Sequence, residues 1–426
     1  MTILQALCAT LAGAALLALF ACQAPSGQEK SSSDDSVKSK GWEVNGRGRW
    51  IHLPEVRDED GTLYLSSHFG LQAVNERGGN VKWVSAAPGN EWERVLRADG
   101  NVLAYSNGYL RSVDAKSGSQ RWIANGVGAA SRPVIAAGGK RIWVLTQAGE
   151  LATVDSASGV LTKFADRPAS GSVMTECEGI LLLATQTAHT VEARDFSDGH
   201  LLWTRTIDDD FLGNPSPWIA ATAQITTVST PKGIAAFHTR TGEPAWNYAT
   251  KLKNPYVSHY QLLGDKLFWV DGESSKQTIH AMDAGSGKEL WTAGGFQFLL
   301  QDLPFVRAVD DLWAIPTAAS VTILNGKGEK IATVEAYSAQ TAGEPAFARD
   351  GEYGYAIAST PPAKKAWEPV QSSKREKSTL IVFKLRTGDV VRRVEREGFY
   401  DLLVVNGRLL IITEEGLLAV QPLGPA

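Results

Sequence analysis

A short phrase returns along this chain: a turn glycine followed four residues later by a tryptophan. It stands as NERGGNVKW (Gly79, Trp83), DAKSGSQRW (Gly118, Trp122), DFSDGHLLW (Gly199, Trp203), HTRTGEPAW (Gly242, Trp246) and DAGSGKELW (Gly287, Trp291). Three copies lack the Trp: DSASGVLTKF (Gly159), LNGKGEKIATV (Gly328) and KLRTGDVVRRV (Gly388). Successive turn glycines lie 39 to 45 residues apart, with one longer interval before Gly388. A period of this length marks a repeat array, in which each unit buries its apolar face only against its neighbours.

The residue four places before the Gly is Asn75, Asp114, Asp155, Asp195 or Asp283 in five of the eight copies. An Asx side chain bonds the backbone two residues on and starts a turn, and Gly supplies the positive φ that finishes it. Two β-type runs precede each turn, as in TLYLSS then LQAVN, or RIWVLT then ELATVD. Each unit therefore predicts a four-stranded antiparallel sheet. Such a sheet cannot stand alone, and radial stacking of many is the β-propeller solution. The fold class is all-β, and the roughly 385 residues from Gly41 onward form one array rather than two or three domains. Trp83, Trp122, Trp203, Trp246 and Trp291 fall on the outermost strand, where a large side chain fills the widening gap between blades. They are expected to be packing residues, not a sugar or cofactor platform.

Closure of the ring is also legible. The segment YDLLVVNGRLLIITEEGLLAVQ, 400–421, is three strands without a fourth, and GWEV at Gly41 to Val44 reads as an isolated fourth strand. Pairing the two leaves no open edge.

Ahead of the array, ILQALCATLAGAALLALFA (3–21) is nearly continuously apolar and precedes Cys22. Residues 1–21 read as a secretory signal peptide, although MTILQ lacks the usual basic residue. LFAC, Leu19 to Cys22, resembles a bacterial lipobox, which makes Cys22 the lipidated first residue of the mature chain. A retained anchor helix is the alternative. Several acyl chains on one Cys anchor stably, and Gln23 in the following position is similar to outer-membrane lipoproteins. QAPSGQEKSSSDDSVKSK (23–40) has no aromatic residue and is almost wholly polar. It reads as part of a disordered tether over 22–40.

The phrase G-x-L-x-A-x-D-x-x-x-G-x-x-x-W resembles the repeat of the pyrroloquinoline quinone (PQQ) propeller superfamily. Within it, a single propeller on a tethered lipoprotein resembles the BamB family, lipoproteins of the outer-membrane β-barrel assembly machinery. The stretch AASRPVIAAGGKRIWVLTQAGELATVDSASG (129–159) carries the resemblance best, with SRPV (Ser131 to Val134) leading into a blade. The likeness covers the chain from Cys22. It implies a non-enzymatic scaffold without a cofactor, on the periplasmic face of the outer membrane of a Gram-negative bacterium. Its implied partner is a barrel-assembly protein or another periplasmic protein. The resemblance also favours eight blades. Eight complete units plus one split unit make nine, so eight is the expectation and nine the alternative.

By the resemblance, partner docking falls at 165–179, where Arg167, Val173 and Met174 stand in place of the family's Leu-and-Arg motif. Two loops depart from the repeat. TIDDDFLGNPSPW (206–218) is acidic and carries Phe211, Leu212 and Trp218. TPPAKKAWEPVQSSKREKS (360–378) carries Lys364, Lys365, Lys374 and Arg375 around Trp367. A basic loop with one aromatic suits an acidic partner or an anionic lipid surface. For both, a tolerated insertion is the plainer alternative.

Other chemistries find little support. A PQQ-dependent dehydrogenase resembles its relatives in using adjacent cysteines and carboxylate ligands for Ca²⁺. Here Cys8 and Cys22 lie ahead of the array and only Cys177 lies within it. It reads as a small buried hydrophobe. The seven His residues are scattered without metal-site spacing, and no G-x-S-x-G elbow or P-loop is present. No catalytic or metal-ligating residue is assigned. A net charge of −4 without a basic stripe gives no basis for nucleic-acid binding. A ligand-binding or sensor propeller is the alternative function.

Overall fold

A computed structural model describes residues 42–420, with breaks chiefly at 46–50, 89–93, 129–133, 136–139, 165–171, 208–217, 250–258, 299–305, 337–346 and 360–376. The chain divides into two units, Met1–Val37 and Lys38–Ala426. The first, with the expected signal and Cys22, lies outside the described residues.

The described residues of the second unit form nine four-stranded antiparallel sheets. Eight use four consecutive strands: blades 1 (51–86), 2 (94–127), 3 (134–163), 4 (172–206), 5 (219–249), 6 (259–296), 7 (307–335) and 8 (347–397). Blade 9 takes Phe399–Val405, Arg408–Thr413 and Gly416–Val420 and completes itself with Trp42–Asn45. That last strand runs antiparallel to Gly416–Val420, with Trp42 opposite Ala419 and Asn45 opposite Gly416. The expected count of eight is corrected to nine. Each of the eight turn phrases carries a full sheet of its own, and the split sheet adds one more.

Successive blades share apolar clusters. Leu71, Trp83 and Val95 pack together across blades 1 and 2, and Ile357, Leu380 and Leu409 do so across blades 8 and 9. The strand Ile51–Arg57 contacts both Phe399–Val405 and Arg408–Thr413, so blade 1 meets blade 9 and the ring closes. Burial falls from the middle of each blade to its rim. Ile180–Thr185, a second strand, is buried at every position, whereas Val81–Ala86, an outermost strand, alternates exposed and buried. Alternation of this kind is the mark of a half-solvated strand.

The turns are built as the Asx pattern predicts. Asp114 Oδ1 accepts the N–H groups of Lys116 and Ser117 at 3.0 and 2.9 Å, and Gly118 N–H donates to Asp114 O at 2.9 Å. Asp155 and Asp283 repeat this geometry. In blade 7 the Asx residue is Asn325, one place nearer to its glycine, and Gly328 N–H donates to Asn325 O.

Five turns, those of Gly118, Gly159, Gly242, Gly287 and Gly328, are then capped by the outer-strand tryptophan of the preceding blade. Trp83 Nε1–H donates to Ala115 O at 2.9 Å, Trp122 to Ser156 O at 2.7 Å, Trp203 to Thr239 O at 3.0 Å and Trp246 to Ala284 O at 3.1 Å. The ring lies flat on the turn glycine. A Cβ on Gly118 would stand 2.7 Å from Trp83, and one on Gly328 would stand 2.4 Å from Trp291. Glycine is thus required twice, by φ of +73° and +79° and by the ring above it. Burying one such indole removes on the order of 200 Å² from water, about 5 kcal/mol of gross transfer free energy.

Blade 3 lacks the outer-strand Trp and substitutes for it. Trp143, from its second strand, donates to Phe196 O at 2.9 Å, and Phe164 packs edge-on against Trp143 at 5.2 Å. Both rings cover Gly199. In blade 7 the slot holds Ala332, and Gly388 sits directly on its Cβ. Blade 9 receives its Trp from the other end of the array. The pair Trp42–Ala419 occupies the register position of Trp83–Ala73 and Trp291–Ala281.

Candidate functional site

The sequence offers three segments as candidate docking loops, and most of their residues lie outside the described ones: Arg167, Phe211, Leu212, Lys364, Lys365, Trp367, Lys374 and Arg375. The three that are described are strand or strand-edge residues. Val173 and Met174 belong to Ser172–Cys177, the first strand of blade 4. Met174 is buried among Trp143, Leu145, Leu181 and Phe196 at the seam of blades 3 and 4. Val173 points the other way and packs at the seam of blades 4 and 5. Alternation along the strand sends Met174 into a core and leaves Val173 partly exposed at the next seam. Trp218 is half-buried against the cluster between blades 5 and 6, and its backbone N–H donates to Ser229 Oγ at 2.8 Å.

The rim carries a feature that residue-by-residue reading missed. Exposed aliphatic side chains recur just before the tryptophan slot of the outermost strands: Val81, Leu201, Leu202, Leu290, Ile331 and Val390. The ladder between third and fourth strands slips by one residue at this point in seven blades, as between Ala73 and Val74 or between Ala281 and Met282. The residue left over is Lys82, Arg121, Leu202, Ala245, Leu290, Ile331 or Val391. A bulge twists an edge strand and interrupts its row of free backbone groups. The rim thus combines apolar side chains with edges that are paired irregularly. The signal for it was present in the pairs preceding Trp83, Trp203 and Trp291, each of which holds Val or Leu.

One group of acidic and imidazole ligands converges among the described residues. Asp195, Asp198 and His200 place their ligand atoms within 4.8 Å of one another on the turn of blade 4. Asp195 Oδ1 accepts Ser197 N–H at 2.8 Å, and Asp198 Oδ1 accepts His200 N–H at 2.9 Å. These bonds hold both carboxyls below the usual carboxylate range, Asp195 chiefly through the Ser197 hydroxyl and Asp198 chiefly through the His200 amide. In each, it is Oδ1 that serves the turn. Cys177, half-buried, has its thiol pushed up by burial and by Glu176 and Glu178, so it stays protonated at neutral pH.

Blades are further tied by ion pairs at equivalent hairpins. Asp58 in blade 1 pairs with Arg97 in blade 2. Asp310 and Asp311 in blade 7 pair with Arg349 and Arg386 in blade 8 at 3.0 and 2.7 Å. Among the described residues, no helix is long and apolar enough to cross a membrane.

Solved structures show the same fold. BamB from Moraxella catarrhalis matches at 16% identity and a TM-score of 0.50, over 77% of this chain and 92% of that one. The dihydro-heme d1 dehydrogenase NirN in complex with DHE matches at 13% identity and 0.52, over 88% and 82%. A eukaryotic initiation factor matches at 10% identity and 0.57, over 82% and 88%. Such different proteins at such low identity share architecture alone. No curated protein gives a significant match. The family model "Outer membrane protein assembly factor BamB" matches residues 20–172 and 187–422, nearly the whole propeller. With its repeats, its tryptophan-capped turns and this match in agreement, the chain belongs to the BamB family.

Proposed function

We propose that this protein is a non-enzymatic scaffold, lipid-anchored through Cys22 at the periplasmic face of the outer membrane, that assists assembly and insertion of β-barrel proteins. The family match over 20–172 and 187–422 carries the reading. The rim aliphatics support it, because an extended client segment meets apolar side chains there before it meets bare edges. The candidate partner contacts are 206–218, 360–378, Arg167 and the partly exposed Val173, while the buried Met174 shapes its blade.

The test is cross-linking of the lipidated protein in native outer membranes, followed by pull-down and mass spectrometry. Recovery of a large outer-membrane barrel protein, reduced by substitutions at Arg167, Trp367 or Lys374, is the expected result. Failure to recover such a protein from membranes with an intact assembly machinery, together with unchanged outer-membrane protein levels when the gene is deleted, overturns the proposal.

A further inference from the structure

The rim is not uniform around the ring. At the bulge of the outermost strand the leftover residue is cationic in blades 1 and 2, Lys82 and Arg121, and aliphatic in blades 6, 7 and 8, Leu290, Ile331 and Val391. These three and Val390 are between 38% and 44% exposed. They follow one another because the turn of each blade is pressed on the outer strand before it. Gly328 of blade 7 sits against Trp291, the residue after Leu290, and Gly388 of blade 8 sits on Ala332, the residue after Ile331. The aliphatic row therefore passes across three consecutive blades.

The charges around the row differ as well. In blades 1 to 3 the outer-strand cations are already paired: Lys82 with Asp60 at 3.0 Å, Arg121 with Asp114 at 2.5 Å and Lys163 with Glu150 at 2.6 Å. Beside the aliphatic row, Lys288, Lys327, Lys330 and Arg393 are exposed, and among the described residues their side chains make no ion pair. The carboxylates of the same turns are engaged by nearby side chains. Glu289 accepts the Tyr248 hydroxyl at 3.0 Å, Glu329 the Asn325 amide at 2.7 Å and Asp389 the Thr387 hydroxyl at 2.7 Å. Glu335 and Glu395 lie four residues beyond Ile331 and Val391, about 13 Å along their strands.

We propose that this turn-side shoulder of the rim, across blades 6, 7 and 8, is a lipid-binding surface that lays the edge of the ring on an anionic bilayer. Aliphatic side chains flanked by cations suit the headgroup boundary: the apolar tips enter it, the lysine stems lie along it and the charged ends stay at the phosphates. A protein partner is the poorer fit. Protein interfaces are anchored chiefly by Trp, Tyr and Arg seated in pockets, and here Trp291 is buried against Gly328. The position of the N-terminal strand agrees. Trp42 opens the outermost strand of blade 9, next to blade 8, at the register of the tryptophan slot. The chain from Cys22 thus arrives at the same shoulder twenty residues later. The proposed anchoring at Cys22 enters only as what brings the membrane near. Leu201 and Leu202 of blade 4 stay with the extended client, since Arg205 of the same strand donates to Gly242 O at 2.6 Å.

The experiment is flotation of the chain from Gln23 onward, which keeps all nine sheets and carries no anchor, so it reads this surface whether or not Cys22 is acylated. The probes are vesicles of phosphatidylcholine alone and of phosphatidylcholine and phosphatidylglycerol in equal parts. Co-flotation is expected with the mixed vesicles and not with the neutral ones, and it should fall as salt is raised. Each replacement among Lys288→Gln, Lys327→Gln, Lys330→Gln and Arg393→Gln is expected to weaken partition about fivefold. Leu290→Ser with Ile331→Ser and Val391→Ser is expected to abolish flotation at a salt concentration where the wild type still floats. Lys82→Gln with Arg121→Gln, at the same register of blades 1 and 2, is the control and should leave it unchanged. Should the Ser variant fail to fold by circular dichroism, the Gln series decides alone, because those side chains make no ion pair among the described residues. No flotation with the mixed vesicles, equal flotation with both kinds, or undiminished flotation of the Gln series overturns the proposal. So does loss of flotation in Lys364→Gln with Lys365→Gln but not in the rim variants. An acidic protein as the occupant would appear as a wild type that never floats and rim variants that lose their partners in the pull-down, which also overturns it.

Discussion

The sharpest test of how blades hold together is Gly118→Ala, because a matched control exists in the same blade. Gly118 has φ of +73° and carries Trp83 on its face, with a Cβ position 2.7 Å from the indole. Gly100 has φ of +72° and open space, with nothing within 4 Å of its Cβ position. The left-handed backbone alone costs a non-glycine residue roughly 1–2 kcal/mol. Gly100→Ala measures that cost. Forcing a methyl into a packed contact costs about 1–3 kcal/mol more. Gly118→Ala is therefore expected to destabilise by about 2–5 kcal/mol, and the excess over Gly100→Ala is the ring. Trp83→Ala costs about 3–5 kcal/mol by itself, through the cavity it leaves. With the ring gone, Gly118→Ala falls back to about 1–2 kcal/mol, a coupling of about 1–3 kcal/mol between the two sites. The four proteins of the cycle and the Gly100 control are compared by guanidinium unfolding midpoints at fixed pH. Costs that add to within about 0.5 kcal/mol, or a Gly118→Ala no worse than Gly100→Ala, would refute the claim that the indole demands the glycine.

Other expectations follow from the same geometry. Met174→Ala is expected to destabilise by about 2–5 kcal/mol in thermal unfolding while leaving partner recovery in the pull-down intact, because the side chain fills a core. Asp60 is held at a pKa of about 2 by the Thr62 hydroxyl and Lys82. Its contribution is present above the ordinary carboxylate value of about 3.9 and is lost as pH falls towards 2. Asp60→Asn should flatten that part of the acid-unfolding profile. Removing Trp42–Asn45 leaves Gly416–Val420 as a bare edge, so limited proteolysis should nick 399–420 in the shortened protein and spare it in the intact one. The exposed pair Asp310–Arg349 should contribute about 0.2–1 kcal/mol, diminishing in high salt, by a double-mutant cycle.

Much of the fold was legible because its constraints are local. Asp114 and Gly118 specify a turn within five residues, and the runs on either side specify strands that pair next to one another. Closure was legible too, because GWEV and the three final strands each lacked the partner that the other supplied. The blade number was misjudged for a different reason: the residues themselves count nine, and the family likeness drew the count to eight. What could not be read is whatever depends on a neighbour in space. Trp143 replaces a missing outer-strand Trp from a different strand, so no spacing rule announces it. Val173 and Met174 looked like loop residues because a strand between two cores carries the same apolar residues as a sticky surface. Leu290 and Lys330 are ordinary surface residues until the stacking of blades 6, 7 and 8 sets them on one shoulder of the rim.

The split ninth blade sets the order of events during synthesis. Trp42–Asn45 leaves the ribosome ahead of the eight continuous sheets, and its partner Gly416–Val420 follows the last of them. Joining ends separated by several hundred residues costs about 5 kcal/mol of chain entropy if the intervening chain is slack. Eight blades already stacked shorten that search, since they bring the two strands to neighbouring positions. A chain that stops early therefore leaves one strand without a mate and one sheet unfinished, two flaws that report the same error. Only a chain translated through to Gly416–Val420 can give both strands their partner.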